Sequence, residues 1–188
     1  MTIRRWLTAW ALMLVAGGAM AIPTDSIYRA DVVLTDAQSH RFRWAEQRGQ
    51  PRIVSMLYTS CTFTCPTLVE SVKVVLLALR PDERIRLGVT MISLDPKRDT
   101  PEALAKLQKE RGLDPAHWTL ARPQPRDVST IAALLGIRYR VLSDGDVNHT
   151  TVLVLLDGEG RIVASTEKLG GVADAMFVAA VRKTLEAR

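Results

Sequence analysis

The amino-acid sequence predicts an α/β domain in which helices flank a central mixed β-sheet. Three observations support this prediction. Short apolar runs of strand length alternate with segments of helical periodicity, proline and glycine separate these segments, and a tight turn joins two of the last strands. The chain has 188 residues, of which 47% are hydrophobic and 24% are charged, as in an ordinary globular protein. We expect a single domain over residues 22–188.

Residues 1–21 differ from the rest of the chain. Arg4 and Arg5 precede an apolar run over residues 7–21, which ends in the small-residue pattern A-x-A. This pattern predicts a secretory signal peptide, and the run is short for a membrane span of about 20 residues. An uncleaved N-terminal anchor is the alternative. We therefore expect a periplasmic protein, tethered to the inner membrane if the segment is retained.

The charge distribution argues against a nucleic-acid partner. The formal net charge is +5, and removal of residues 1–21 leaves 23 basic and 20 acidic residues. The basic residues are scattered among acidic ones, without the basic run or aromatic ladder that a phosphate backbone requires. Membrane contact is expected only through a partner or through an uncleaved N-terminal segment.

Five strands are predicted from apolar runs of strand length. They cover residues 31–34, 52–58, 85–94, 151–156 and 161–165. Asp157-Gly158-Glu159-Gly160 separates the last two and is typical of a hairpin turn. The antiparallel hairpin makes the predicted sheet mixed.

Four helices are predicted, and the first begins at Cys65. Its apolar residues recur at helical spacing until a proline ends the pattern: Leu68, Val69, Val72, Val75, Leu76 and Leu79. The other helices cover residues 101–111, 125–135 and 172–187, and the last should place Met176 and Phe177 on its apolar face. This order of elements fits a thioredoxin-like fold with insertions.

The two cysteines, Cys61 and Cys65, lie where a predicted strand ends and a helix begins. In an oxidising compartment, two thiols this close are paired, metal-bound or redox-active. The free N–H groups and the dipole at a helix start favour the reactive thiolate. Two thiolates suit Cu(I) or zinc, and a nitrogen ligand would complete a trigonal copper site.

Three histidines are available as that nitrogen ligand. His40 lies in a polar stretch typical of a hairpin turn, and His117 follows a proline-containing loop. Both positions are typical of surface or packing residues. His149 directly follows the polar segment 143–148 and is predicted to precede a strand at the sheet edge. Position alone leaves His149 open between a ligand and a surface residue.

Three segments resemble the signature segments of the Sco/SenC family of thioredoxin-fold proteins. They are YTSCTFTCP at residues 58–66, ISLDPKRDTP at 92–101 and VNHTT at 147–151. The segments occur in the family's order, and the resemblance extends in outline over residues 30–186. It implies a copper metallochaperone that assembles the copper centre of cytochrome c oxidase. It also implies that Cys61, Cys65 and His149 bind one copper ion per chain, as Cu(I), Cu(II) or both.

The resemblance also draws attention to Asp95, the aspartate of the second segment. Asp95 either orients or weakly ligates copper, or receives backbone hydrogen bonds in the turn that follows it. Asp99 and Thr100 are interpreted as N-cap residues of the next helix. Met56 and Met91 lie in apolar strand runs and are interpreted as core residues.

Two functions compete for the cysteine pair. A metallochaperone would pass copper by ligand exchange to an oxidase subunit or to another copper chaperone, and a thiol–disulfide reductant would keep its thiols reduced. A periplasmic thiol–disulfide oxidoreductase would instead reduce the cysteines of those same partners. This is the only enzymatic activity that we expect of the chain. Against it, redox enzymes of this fold carry C-x-x-C, and they have a cis-proline where this chain has residues 148–151.

Two further interpretations of the pair carry less weight. A peroxidase is disfavoured because the cysteine motif contains no arginine beside the cysteine. A purely structural disulfide would close so short a loop that it would add little stability.

Overall fold

The computed structural model describes residues 21–61, 64–143 and 145–187, with the side chains of residues 64–66 excepted. Nearly all of the predicted signal segment, residues 1–20, therefore lies outside the described residues. Within the described part of the chain, no helix is both long enough and apolar enough to cross a membrane.

Nine strands are present among the described residues. They are β1 (Val33–Asp36), β2 (Arg41–Arg43), β3 (Arg52–Leu57), β4 (Gly88–Ser93), β5 (Trp118–Pro123), β6 (Tyr139–Val141), β7 (Val147–His149), β8 (Leu153–Leu156) and β9 (Ile162–Thr166). Seven of them form one sheet in the order β2-β1-β5-β4-β3-β8-β9, and β6 and β7 form a separate antiparallel pair. The β3-β4 and β4-β5 pairs are parallel and the others antiparallel, so the predicted mixed sheet is confirmed.

Five helices accompany the sheet in the part of the chain that the structure describes. They are α1 (Thr64–Leu77), α2 (Pro81–Arg84), α3 (Pro101–Glu110), α4 (Val128–Leu134) and α5 (Ala175–Glu186). The predicted helix at 125–135 begins as a 3-10 turn over Pro125–Asp127 before it becomes α4. Helix α3 packs against β1 and β5, and α5 packs against β9.

One edge of the sheet collects the segments that the sequence singled out. The last residues of β3 and β4, Leu57 and Ser93, are register partners in a parallel pair. Strand β8 runs antiparallel to β3, so its first residue, Leu153, lies at the same end of the sheet. We call this end the functional edge. The cysteine segment, the segment after β4 and the segment before β8 all meet there.

The core contains the residues expected of it, with one exception. The predicted apolar positions Leu68, Val69, Val72, Val75 and Leu79 are at most 3% exposed, and Met56 and Met91 are fully buried. Met176 is 78% exposed, so its predicted place on the apolar face of α5 is wrong. Adjacent helical residues point about 100° apart, and Phe177 takes the buried direction.

The strand predictions missed β5 and the three shortest strands. Strand β5 lies between β1 and β4, but Thr119 and Arg122 interrupt its apolar run and hide it from the sequence pattern. Strands β2, β6 and β7 have three residues each, too few for a pattern. The two turns expected near His40 and at 157–160 are both hairpin turns, joining β1 to β2 and β8 to β9.

Candidate metal site

The segment between β3 and α1 brings the cysteine motif to the functional edge. Cys61 is half-buried and precedes the helix, in a turn closed by a 3.2 Å hydrogen bond from its amide to the carbonyl of Tyr58. Cys65 lies in the first turn of α1, within one residue of the predicted start, and its side chain lies outside the described part of the structure. Because Cys61 lies outside the helix, helical spacing does not determine how far apart the two sulfurs are.

The cysteine segment is anchored by Asp99, a carboxylate with no solvent exposure. One oxygen of Asp99 accepts from the amide of Thr59 at 3.0 Å and from its hydroxyl at 2.6 Å. The other oxygen accepts from the hydroxyl of Ser93 at 2.5 Å. The interpretation of Asp99 as an N-cap is wrong, because Thr100 caps α3 by accepting from the amide of Ala103 at 3.3 Å.

His149 lies on β7 of the small sheet, where its register partner is Tyr139. The prediction that a loop runs directly into a strand of the main sheet is therefore wrong. The segment is a hairpin, closed by a 2.8 Å hydrogen bond from the amide of Leu142 to the carbonyl of Asp146. Strand β8 begins only at Leu153. The hairpin escaped the sequence pattern because both of its strands are short and largely exposed.

The imidazole of His149 has one engaged nitrogen and one unengaged nitrogen. Its Nδ1 lies 3.0 Å from the carbonyl of Thr150, which assigns the ring proton to Nδ1 and the lone pair to Nε2. That Nε2 is buried and has no hydrogen-bond partner among the described residues. Burial lowers the pKa of His149 below its usual value, against weaker opposing effects of Thr150 and Asp146. A neutral imidazole with an unengaged nitrogen is the form that binds a metal ion.

Tyr58, the residue directly after β3, contacts both Cys61 and His149. Its hydroxyl donates to the carboxylate of Asp146 at 2.5 Å, and its ring meets the imidazole edge-on with centroids 5.9 Å apart. Burial, followed by hydrogen bonds to the side chains of Asp146 and Cys61, raises the pKa of Tyr58 well above its usual value. The structure thus brings Cys61 and His149 together around Tyr58, a residue that the sequence reasoning missed.

Asp95 acts on the hairpin through a neighbouring arginine. Its carboxylate forms an ion pair with Arg98, which also donates to the carbonyl of Gly145 in the turn before β7. The amides of Arg98 and Asp99 donate to the main-chain carbonyl of Asp95, at 3.1 and 2.9 Å. The turn's backbone hydrogen bonds therefore go to this carbonyl, and the carboxylate holds Arg98 against the hairpin that carries His149.

The other two histidines lie away from the cysteine segment. His40 belongs to the hairpin between β1 and β2, which β5 and β4 separate from β3, and His117 lies at the opposite end of the sheet. His40 follows β1, has a side chain that is 79% exposed, and lies 3.5 Å from Asp36. His117 directly precedes β5, whose first residue is the register partner of Val89 near the start of β4. His40 is therefore a surface residue, one of the two positions expected for it, and neither histidine is on an element that carries the cysteine segment or the His149 hairpin.

The described side chains contain part of the predicted ligand set. Among them, no group of three or more His, Cys, Asp or Glu residues is placed to hold a metal ion. Cys65 lies outside that set, so two of the three predicted ligands, Cys61 and His149, fall within the described residues.

Both described ligand residues border a cavity. A cavity of about 110 Å³ lies against Cys61 and is also lined by Arg111, an arginine outside the cysteine motif. An open cleft of about 340 Å³ lies against His149 and is flanked by Arg138 and Arg140. A small molecule can therefore approach each residue, and Nε2 of His149 itself is buried.

Residues 22–186 match the family model described as SCO1/SenC, which confirms the predicted resemblance. A solved structure from Aquifex aeolicus VF5 is 26% identical, with a TM-score of 0.72 over 85% of this chain and 93% of that one. ScoI of Bradyrhizobium japonicum, solved with copper bound, is 24% identical, with a TM-score of 0.66 over 82% of this chain and 96% of that one. These likenesses confirm the thioredoxin-like fold.

A curated relative shows the same likeness at the sequence level. An SCO2-like protein of Rickettsia prowazekii is 28% identical over 134 residues. The alignment covers 68% of this chain and 63% of the relative, so it spans less than two thirds of the relative's length.

Proposed function

Because this chain belongs to the SCO1/SenC family, we propose that it is an exported copper metallochaperone that assembles the copper centre of cytochrome c oxidase. Its cargo is one copper ion, bound by the thiolates of Cys61 and Cys65 and by Nε2 of His149. The observation that carries the proposal is the buried, unengaged Nε2 of His149. The imidazole ring contacts Tyr58, and Tyr58 also contacts Cys61. The copper bound to Bradyrhizobium japonicum ScoI supports the same choice of metal.

Loading requires both thiols to be reduced and then deprotonated. Cys65 lies in the first turn of α1, where free backbone N–H groups and the helix dipole favour the thiolate. His149 is already neutral at neutral pH because burial lowers its pKa. Copper binding therefore releases protons from the cysteines alone, and a periplasmic thiol–disulfide reductant supplies the reduced pair.

Delivery proceeds by ligand exchange with the acceptor, an oxidase subunit or another copper chaperone. His149 is half-buried on a short hairpin and borders an open cleft, so an acceptor side chain can approach this hairpin. Each incoming ligand replaces one of the three, and the metal keeps its coordination throughout.

A thiol–disulfide oxidoreductase would use the same cysteines in a different way. One thiolate would attack a partner disulfide, and the second would then release the partner as a dithiol. The partner would gain two electrons, and Cys61 and Cys65 would be oxidised to a disulfide. That chemistry gives no role to the unengaged nitrogen of His149. The imidazole therefore favours the copper function over the redox one.

The contribution of the imidazole can be measured directly. We expect His149→Ala to weaken Cu(I) retention by at least about tenfold, because the loss of even an outer-shell partner costs a metal site about 10- to 100-fold. The dithiol should remain, so copper uptake is weakened rather than abolished. Retention is measured anaerobically by competition with a chromophoric Cu(I) chelator.

His40→Ala is the matched control, since it removes an exposed imidazole from the β1–β2 hairpin, which β5 and β4 separate from β3. It should retain copper as tightly as the unmodified protein. If His149→Ala also retained copper as tightly, the three-ligand site would be refuted. If the unmodified protein and the His40→Ala variant bound no copper but reduced protein disulfides catalytically, the oxidoreductase function would replace the proposal.

A further inference from the structure

Tyr58 is placed to hold the two halves of the copper site together. It follows β3 directly, three residues before Cys61, and only 3% of its surface is exposed. A phenol buried to this degree normally bonds to another group through its hydroxyl. Here the hydroxyl reaches two groups that lie 88 and 3 residues away along the chain, Asp146 and Cys61.

The bond to Asp146 reaches the hairpin that carries His149. At 2.5 Å it is short, as expected for a hydroxyl that donates to a carboxylate. Asp146 also accepts from the amide of Val147 at 3.0 Å, so the carboxylate fixes the start of β7, two residues before His149. The Tyr58 bond therefore fastens the hairpin to the end of the central strand.

The ring of Tyr58 makes a separate contact with the imidazole. The two rings pack edge to face, with an interplanar angle of 75°. The ring thus limits the orientations of His149, while the hydroxyl sets the position of the strand beneath it. Tyr58 acts on His149 in two ways, and substitution by phenylalanine removes only the second.

We propose that the hydroxyl of Tyr58 is a positioning group, which holds the His149 hairpin in place beside Cys61 through its bond to Asp146. This inference rests on the proposed function for its copper readout. Without the hydroxyl, the hairpin keeps the hydrogen bond from Arg98 to the carbonyl of Gly145. It loses the hydrogen bond from Tyr58 to Asp146, which lies nearer to His149 in sequence. Cys61 then has its imidazole partner in place for a smaller fraction of the time.

Tyr58→Phe tests this role while keeping the aromatic ring. We expect Cu(I) retention to fall about fivefold, the effect of losing one hydrogen bond. In a His149→Ala background, the same substitution should change retention less than about twofold, because the residue being positioned is gone. Equal losses in the two backgrounds, or no loss in either, would overturn the proposal.

Two further variants separate positioning from general stability. Asp146→Ala removes the same bond from its exposed end and also removes the acceptor of the Val147 amide, so it should lower retention at least as much as Tyr58→Phe does. In the Asp146→Ala background, Tyr58→Phe should add little further loss. Tyr139→Phe removes another hydroxyl beside His149, one with no hydrogen bond among the described residues, and should leave retention unchanged. A loss in Tyr139→Phe as large as that in Tyr58→Phe would contradict a specific role.

A copper-free measurement keeps the inference separate from the proposed function. Tyr58→Phe should speed hydrogen exchange at the amide of Leu142, which bonds to Asp146 across the hairpin, and Tyr139→Phe should not. If the unmodified protein bound no copper, the proposed function would fail, and this exchange difference would still decide the inference. Unchanged exchange in Tyr58→Phe would overturn it.

Discussion

Replacing Cys61 or Cys65 by serine is expected to lower Cu(I) retention by more than about a hundredfold, a larger loss than that from His149→Ala. A hydroxyl is a hard, protonated donor at neutral pH, whereas a thiolate is the soft ligand that Cu(I) prefers. The remaining thiolate and imidazole make a two-ligand site that a chelator strips easily. Retention is measured by the same anaerobic chelator competition, and folding by circular dichroism.

Ser60→Ala is the matched control for this pair of variants. Ser60 is exposed and directly precedes Cys61, so its substitution tests whether any change in the segment weakens binding. It should leave retention unchanged. Serine variants that kept copper at the level of the unmodified protein would mean that the cargo does not bind to the cysteines.

Asp99→Ala is expected to lower the free energy of unfolding by about 3 kcal/mol or more, since three donors lose their acceptor inside the protein. Those donors are the amide and hydroxyl of Thr59 and the hydroxyl of Ser93. Because Thr59 lies two residues before Cys61, the substitution also frees the cysteine segment. Urea unfolding followed by circular dichroism measures the loss.

Thr100→Ala provides the comparison for Asp99. Thr100 directly follows Asp99, and its substitution removes the N-cap hydrogen bond from the amide of Ala103. A lost cap lowers the free energy of unfolding by about 1 kcal/mol. Asp99→Ala should therefore be clearly the more destabilising of the two. Equal losses would show that Asp99 contributes no more than a helix cap, as its sequence position suggests.

The elements that could be predicted from the sequence are those with local, repeated signals. Helix α1 has four buried apolar residues at helical spacing, and the β8-β9 turn has glycine and aspartate where the chain reverses. Strand β5 carries no such signal, because its place in the sheet depends on pairing with β1 and β4. The polar residues Thr119 and Arg122 interrupt its apolar run, so the strand has no recognisable sequence pattern.

The residues of the site were predictable to different degrees. Compartment, spacing and position at a helix start identified Cys61 and Cys65, whereas only the family resemblance selected His149. The role of Asp99 was assigned wrongly and that of Tyr58 was missed, because Asp99 contacts Thr59 and Tyr58 contacts Asp146 across 40 and 88 residues of sequence. No periodicity reports contacts of that range, and the short strands β6 and β7 left the hairpin unrecognised.

Copper binding by the reduced protein tests the proposed function most directly. Anaerobic titration with Cu(I) should show one equivalent bound per chain. The Cu(II) form should show a thiolate-to-copper charge-transfer band that is altered in His149→Ala. A reduced protein that bound no copper, or a Cu(II) form without that band, would contradict the assignment of Cys61, Cys65 and His149 as a copper site.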